Sequence, residues 1–302
     1  MMTYLQKFNH RNLKERLIKL FFSGTSITAL VILISIFAFL FITGIQTFSE
    51  ISIIDFIFGA NWNPTAYAEP AWGILALVVG TLMITIGSLV IAIPLGIASA
   101  IYLAEIANPK VREILKPIIE MIASIPSVVL GLIGILFLSP LIAKIFGLSN
   151  GLNALTASIV VGIMVLPTII SISEDVLTSL PNEFREASLA LGSTKWQTIR
   201  MTLLPAAMPG IMAAVMLGLG RAVGETMAVL MVAGNARAMP FSFFDPVRPM
   251  TANIAIEIKE VVKGSLHYNA LFAIGLVLFI MTFIVNFLSD LIIERQARKY
   301  KW

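Results

Sequence analysis

Five stretches of this chain carry no charged residue at all: Leu20–Ser49, Pro70–Ala104, Met121–Ala143, Ile145–Ser173 and Gly264–Ser289. A sixth, Met201–Ala236, holds only Arg221 and Glu225. Crossing a hydrocarbon core as a helix takes about 20 apolar residues, and an open sheet would leave its backbone groups unpaired in lipid. The runs therefore dictate an all-α, polytopic membrane protein with six transmembrane helices. The spans are expected at about 20–46, 74–103, 118–145, 152–176, 206–233 and 268–292, in one membrane domain behind a basic segment at 1–19. Charged residues form 13% of the chain, about half the share of a soluble domain.

The same composition removes several kinds of chemistry. There is no cysteine, so disulfides, thiolate catalysis and Cys-ligated metals are excluded. The two histidines, His10 and His267, lie far apart and on opposite sides of the expected topology, so no metal site is expected. The net charge of +4 is spread over several loops and is no nucleic-acid signature. The run from Leu20 far exceeds the apolar core of a signal peptide and lacks a small-residue cleavage site, so it reads as the first span. No phosphate-cradling loop and no nucleophile with a neighbouring base is present. The chain reads as non-enzymatic and without a cofactor, and any energy source must lie on another protein.

Basic residues set the orientation, because Lys and Arg accumulate on the cytoplasmic side. With the N-terminus inside, fifteen of the 21 fall inside, five outside and one, Arg221, within a span. Both termini are thus expected in the cytoplasm, together with a polar hairpin at 181–205. The first nineteen residues interleave basic and apolar side chains, as an interfacial helix or a plain positive anchor does. The first outer loop is rich in aromatic residues, which suits an element lying on the membrane surface or a simple aromatic belt. The long outer loop after span five is expected to hold a short helix from Ala252 to Lys263, ended by Gly264. Such a helix is a docking surface or a lid.

Prolines 94, 126 and 167 fall in three consecutive spans and favour a bundle with a moving or solvated interior over an inert anchor. In span five, Ala206, Gly210, Ala214, Gly218 and Ala222 recur every four residues, and Gly220 with Gly224 adds a GxxxG. Small residues at this spacing let membrane helices approach closely, within the chain or against a partner subunit. Arg221 is costly in lipid, by about 2.5–3.5 kcal/mol on insertion scales. Glu225, four residues on, is expected on the same helical face. The two form either a structural bridge or a site where the guanidinium serves an oxyanion through forked, charge-assisted hydrogen bonds.

The hairpin itself reads PNEFREASLALGSTKWQTIRMTLLP. Glu183 to Leu191 are good helix formers, with Leu189 and Leu191 giving an apolar side and Glu183, Arg185 and Glu186 a wet one. Gly192 stops this helix by taking positive φ. Thr194 with Gln197 opens a second helix through a capping box, and Pro205 marks the start of the next span.

The run Glu186-Ala187-Ser188, Gly192, Ile199, Leu204-Pro205 resembles the EAA signature of permeases of ATP-binding-cassette importers. That pattern is EAA, three residues, G, nine residues, I, one residue, LP. Here Ser188 stands for the second alanine and only six residues separate Gly192 from Ile199. The stretch GLGRAVGETMAV (218–229) is similar to the GRAxGET of phosphate-importer permeases of the PstC type. FGANWNP (58–64), IPLGIASAIYLAE (93–105), IPSVVLGLIG (125–134) and VLPTI (165–169) also read like that family. The resemblance implies a type I importer permease in a bacterial inner membrane. It implies Glu186, Ala187, Gly192, Leu204 and Pro205 in coupling to a cytoplasmic ATPase, and Arg221 and Glu225 in the phosphate path. It implies a homologous second permease (PstA-like), two ATPase subunits (PstB-like) and a phosphate-binding protein (PstS-like), with Gly210, Ala214, Gly218, Gly220 and Gly224 at helix or subunit contacts. A permease for molybdate, sulfate or phosphonate is the near alternative. An ion-coupled secondary transporter is the distant one, and it would need no ATPase-docking hairpin.

Overall fold

The computed structural model describes residues 2–67 and 69–299, with side chains for 15–291 apart from 17 and 68. Among the described residues, six helices are long and apolar enough to cross a membrane. The first, α1 (Met2–Ile45), begins within the basic segment and continues without a break through the first span. The side chains of Lys7, Arg11 and Lys14, and those of the tail from Arg295 to Lys301, lie outside the described residues. A 3₁₀ turn (Gln46–Ser49), α2 (Ile53–Phe58) and a two-strand hairpin, β1 (Trp62–Asn63) with β2 (Ala71–Trp72), follow. Gly59 and Gly73 meet backbone to backbone beneath the hairpin, where a Cβ on either would overlap the other.

The second span is α3 (Leu75–Ile101), which ends in a π-helical turn at Tyr102–Ile106. It packs along its length on the fourth span; Gly96 sits on Ile169, leaving no room for a side chain. The expected third span at 118–145 requires correction. The chain forms an amphipathic α4 (Pro109–Ala123), breaks at Ser124–Pro126, and only then crosses as α5 (Ser127–Ile133), a π turn (Gly134–Leu138) and α6 (Ser139–Phe146). Pro126 has no N–H to continue the ladder and biases Ile125 away from helix. It therefore opens α5 and does not sit inside a span. The charged stretch expected as a short inner loop is largely α4, which has no buried residue.

The fourth span, α7 (Ala154–Ser179), is the hub. Its Asn153 cap accepts the Thr156 N–H at 2.9 Å, and α3, α4, α5 and both helices of the fifth span lie against it. The hairpin comprises α8 (Asn182–Ala190) and α9 (Lys195–Thr198), and a π turn (Ile199–Leu203) leads into α10 (Leu204–Gly224). Span five then breaks at Glu225 and resumes as α11 (Met227–Val232). The outer-loop helix α12 runs Met250–Glu257, shorter than the expected 252–263: after Glu257 the chain tightens into a turn, with Glu260 N–H bonded to the Glu257 carbonyl. Finally α13 (Leu266–Lys299) recrosses beside α1. Three apolar clusters stack across the protein. One at the face away from the 181–205 hairpin centres on Phe56, Trp62 and Leu271, a middle one on Val161 and Val229, and one at the hairpin face on Leu177, Ile199 and Leu203.

Candidate translocation and coupling sites

The hairpin is shaped by three local devices. Leu191 closes α8, Gly192 turns the chain at φ +82°, and Thr194 with Gln197 forms a reciprocal capping box with bonds of 3.3 and 2.8 Å. Glu186, Ala187 and Gly192 are exposed, while Leu204 and Pro205 are half-buried where the hairpin enters α10. Nothing surrounds Gly192, so a side chain there meets only backbone strain, about 1–2 kcal/mol for a left-handed residue. Gly192→Val should therefore weaken the turn by that amount, measured as a fall in the melting temperature of the purified chain.

Two side-chain expectations change here. Leu189 and Leu191 are 50% and 89% exposed; the apolar side of α8 that they form faces outward with Trp196 and Met201. The inward face is carried by Phe184 and Ser188. The Ser188 hydroxyl is buried against Thr198, 3.0 Å away, with Thr202 at 3.4 Å, which gives the departure from alanine a structural role. Arg185 is no solvent-facing charge either. Its guanidinium grips Glu105 at the end of span two, at 2.6 and 3.1 Å, and donates to the Leu177 and Leu180 carbonyls at 2.9 and 3.0 Å. One arginine thus ties α8 to the inner ends of spans two and four, and those carbonyls would otherwise be orphans of a helix end. Beside it, Glu174, fully buried on α7, pairs with Arg112 and with Lys116 at 2.6 Å. Burial acts to lower the Lys116 pKa, but Asp175 and Glu174 outweigh it and the pKa is raised. A groove of about 800 Å³ lies between α8 and the start of span five, lined by Phe184, Ala187, Leu191, Met201 and Pro205.

At the end of α10 the expected same-face pair is overturned. Gly224 is the last residue of α10, and Glu225 takes extended backbone angles, φ −66° and ψ 126°. The break rotates the carboxylate away: Glu225 accepts the Ala228 N–H at 3.1 Å, and its carbonyl accepts the Thr251 hydroxyl at 3.0 Å. Arg221 donates to the Thr168 hydroxyl of α7 at 3.4 Å, and no ion pair joins it to Glu225 among the described residues. Each charge instead sits at a helix end of opposite polarity, Arg221 in the last turn of α10 and Glu225 before α11. The small residues divide as well. Gly210 packs on Val176 and Gly218 on Val165 and Ile169, with Ala214 fully buried beside them. Gly220 and Gly224 are exposed with nothing within 4 Å. The stripe is thus an intrachain contact along one line and an open face along another.

At the face away from the hairpin lies a buried ionic cluster that the sequence pattern does not reveal. Glu257, 3% exposed, receives Arg248 at 3.1 Å, Arg237 at 3.3 Å, Trp62 Nε1 at 3.0 Å and His267 Nε2 at 2.9 Å. It fastens the first outer loop, the loop after span five and the start of span six. Burial works to raise its pKa, but hydrogen bonds from His267 and Trp62 and the Arg237 charge prevail and hold it low. With a folded value below the ordinary 4.5, its stabilisation is complete above that value and fades as pH falls through the lowered one. Acid titration followed by tryptophan fluorescence should show the cap loosening only below the usual carboxylate range. Glu257→Gln should abolish that acid limb and cost about 3 kcal/mol, as when one partner of a buried pair is removed.

A bundle of six spans built on the buried fourth, with a helical hairpin hung between spans four and five, defines a type I permease of ATP-binding-cassette importers. The chain belongs to the family described as binding-protein-dependent transport system inner membrane component, matched over residues 92–302. It is a multi-pass protein of the inner membrane. It is 45% identical over 253 residues to the probable ABC transporter permease protein YqgH of Bacillus subtilis, covering 83% of this chain and 82% of that one. It is 37% identical to the phosphate transport system permease protein PstC of Mesorhizobium japonicum (76% and 75% covered). It is 31% identical to PstC of Haemophilus influenzae, across 99% of both chains. Among solved structures, the inward-facing MetNI methionine ABC transporter aligns with a TM-score of 0.58 at 23% identity, over 72% of this chain and 93% of that one. A bacterial alginate ABC transporter aligns at 0.54 and 14% identity, over 73% and 78%. These likenesses concern the fold.

Proposed function

We propose that this chain is the membrane-spanning subunit of an ATP-driven importer for inorganic phosphate, with both termini and the 181–205 hairpin in the cytoplasm. The observation that carries the reading is Arg221: a cation within a span, at a break in its helix, with a threonine hydroxyl and, among the described residues, no carboxylate as its partner. A guanidinium in that setting is stabilised by an arriving oxyanion, which takes up several donors at once. The relatives named for phosphate transport support the choice of anion. Glu225 shapes the break and holds the start of α11 beside Arg221. Glu186, Ala187 and Gly192 on the exposed hairpin, with Leu204 and Pro205 at its root, meet a cytoplasmic ATPase; the apolar groups Leu189, Leu191 and Trp196 add contact area. Nucleotide binding on two such subunits (PstB-like) drives the bundle between inward- and outward-facing states. The open Gly220/Gly224 face suits a homologous second permease (PstA-like), and a phosphate-binding protein (PstS-like) delivers the anion outside.

Reconstitution tests this directly. Labelled phosphate should enter proteoliposomes only with ATP and all partner subunits present, and excess sulfate or molybdate should compete poorly. Uptake without nucleotide, or displacement by sulfate at equal concentration, would refute the assignment.

A further inference from the structure

The outer cap holds more positive charge than its buried carboxylate neutralises. Arg248 and Arg237 both converge on Glu257. Arg248 is well held: its Nε donates to the Asn235 carbonyl at 2.9 Å and its Nη1 reaches Glu257 at 3.1 Å. Arg237 is held loosely. Its side chain is 36% exposed, and its contacts with Glu257 and with Asn63 Oδ1 are both 3.3 Å, beyond the usual length of a charge-assisted bond. Two of its five N–H groups are engaged in this way, which leaves donors free. The neighbouring guanidiniums also feel one another, since burial and the Arg237 charge together lower the Arg248 pKa. Arg237 lines a pocket of about 460 Å³ together with the exposed residues Asn61, Asn63 and Glu69.

The geometry points to a second anion site in this cap, where Arg237, backed by Arg248 and flanked by the Asn61 and Asn63 amides, takes a tetrahedral oxyanion on the outer side. The two guanidiniums carry one charge in excess of Glu257, and the anion satisfies the free donors of Arg237 without displacing that carboxylate. Glu69 opposes the ligand and keeps the site weak, which suits a place the anion must leave. Only six residues of α11 and a short turn separate this pocket from the break at Glu225, about 9 Å of helix. The direction of transfer, from cap to Arg221, rests on the importer reading; binding at the cap does not.

Isothermal titration of inorganic phosphate into the full chain in lipid nanodiscs tests the site, using Arg221→Gln as the background so that the inner cation is absent. That variant should retain a phosphate site whose affinity falls steeply with ionic strength. Adding Arg237→Gln should weaken it at least tenfold. Adding Arg237→Lys, which keeps the charge and loses the fork, should weaken it less, and adding Glu69→Gln should tighten it several-fold. Equal binding with and without Arg237, or no phosphate heat in the Arg221→Gln and Glu69→Gln proteins, overturns the site. Should Arg237→Gln fail to fold, the Glu69→Gln and Arg237→Lys arms decide the matter alone. Loss of uptake in Arg221→Gln bears on the importer reading and leaves this result untouched.

Discussion

Arg221→Gln should lower phosphate uptake by the assembled importer about a hundredfold while the complex still assembles and inserts. The figure follows from losing a charge-assisted bond to the anion worth about 3 kcal/mol, at 1.4 kcal/mol per factor of ten. Glutamine is shorter and gives up the long 3.4 Å bond to Thr168 together with the charge; that bond is weak, so assembly should be unaffected, and the insertion cost should fall. Glu225→Gln is the informative companion. Because Glu225 accepts a backbone N–H and makes no ion pair with Arg221, the amide oxygen can keep that bond, and uptake should fall much less than for Arg221→Gln. Equal, severe losses in both would mean that the two charges act as a pair in some state that this geometry does not contain. Near-normal uptake in Arg221→Gln would remove the guanidinium from the transport path altogether.

The second large effect concerns force transmission. Arg185→Gln should leave Glu105, whose side chain is 8% exposed, without its cation, at a cost of about 3 kcal/mol. It should also free the Leu177 and Leu180 carbonyls. The hairpin would then be joined to spans two and four only through the chain and the inner apolar cluster. We expect the ATPase to bind and hydrolyse nucleotide, with transport per ATP falling at least tenfold. Arg185→Lys should recover little, since an ammonium cannot serve Glu105 and two carbonyls as one planar fork does. Proteoliposome assays of uptake and hydrolysis side by side check this; proportional losses of both would mean that Arg185 supports folding or docking and does not transmit motion.

Much of this architecture was legible in the residues because lipid imposes so simple a rule. Charge-free runs mark what the bilayer tolerates, and the hairpin's glycine and capping box act within a few residues of themselves. The same rule hid the breaks. Met121–Ala143 is uncharged throughout, yet the chain stops being helical at Ser124–Pro126, since hydropathy records what a segment may touch and says nothing of where it bends. The turn at Glu225 was hidden for a related reason: a four-residue spacing aligns two side chains only if the helix survives between them. Arg185 read as solvated because its partner Glu105 lies 80 residues away, and a single sequence does not reveal which distant carboxylate a cation meets. Glu257, with its contacts on three separate outer segments, was beyond reach on the same grounds.

The first helix has a consequence of its own. Along its membrane window α1 is only 6% buried, and its neighbour is α13, with Gly44 set on Ala273 and aromatic contacts such as Phe37 with Phe279. A rod fastened along one edge can travel with α13 as an outrigger while the other spans rock, keeping its long seam with α13 intact.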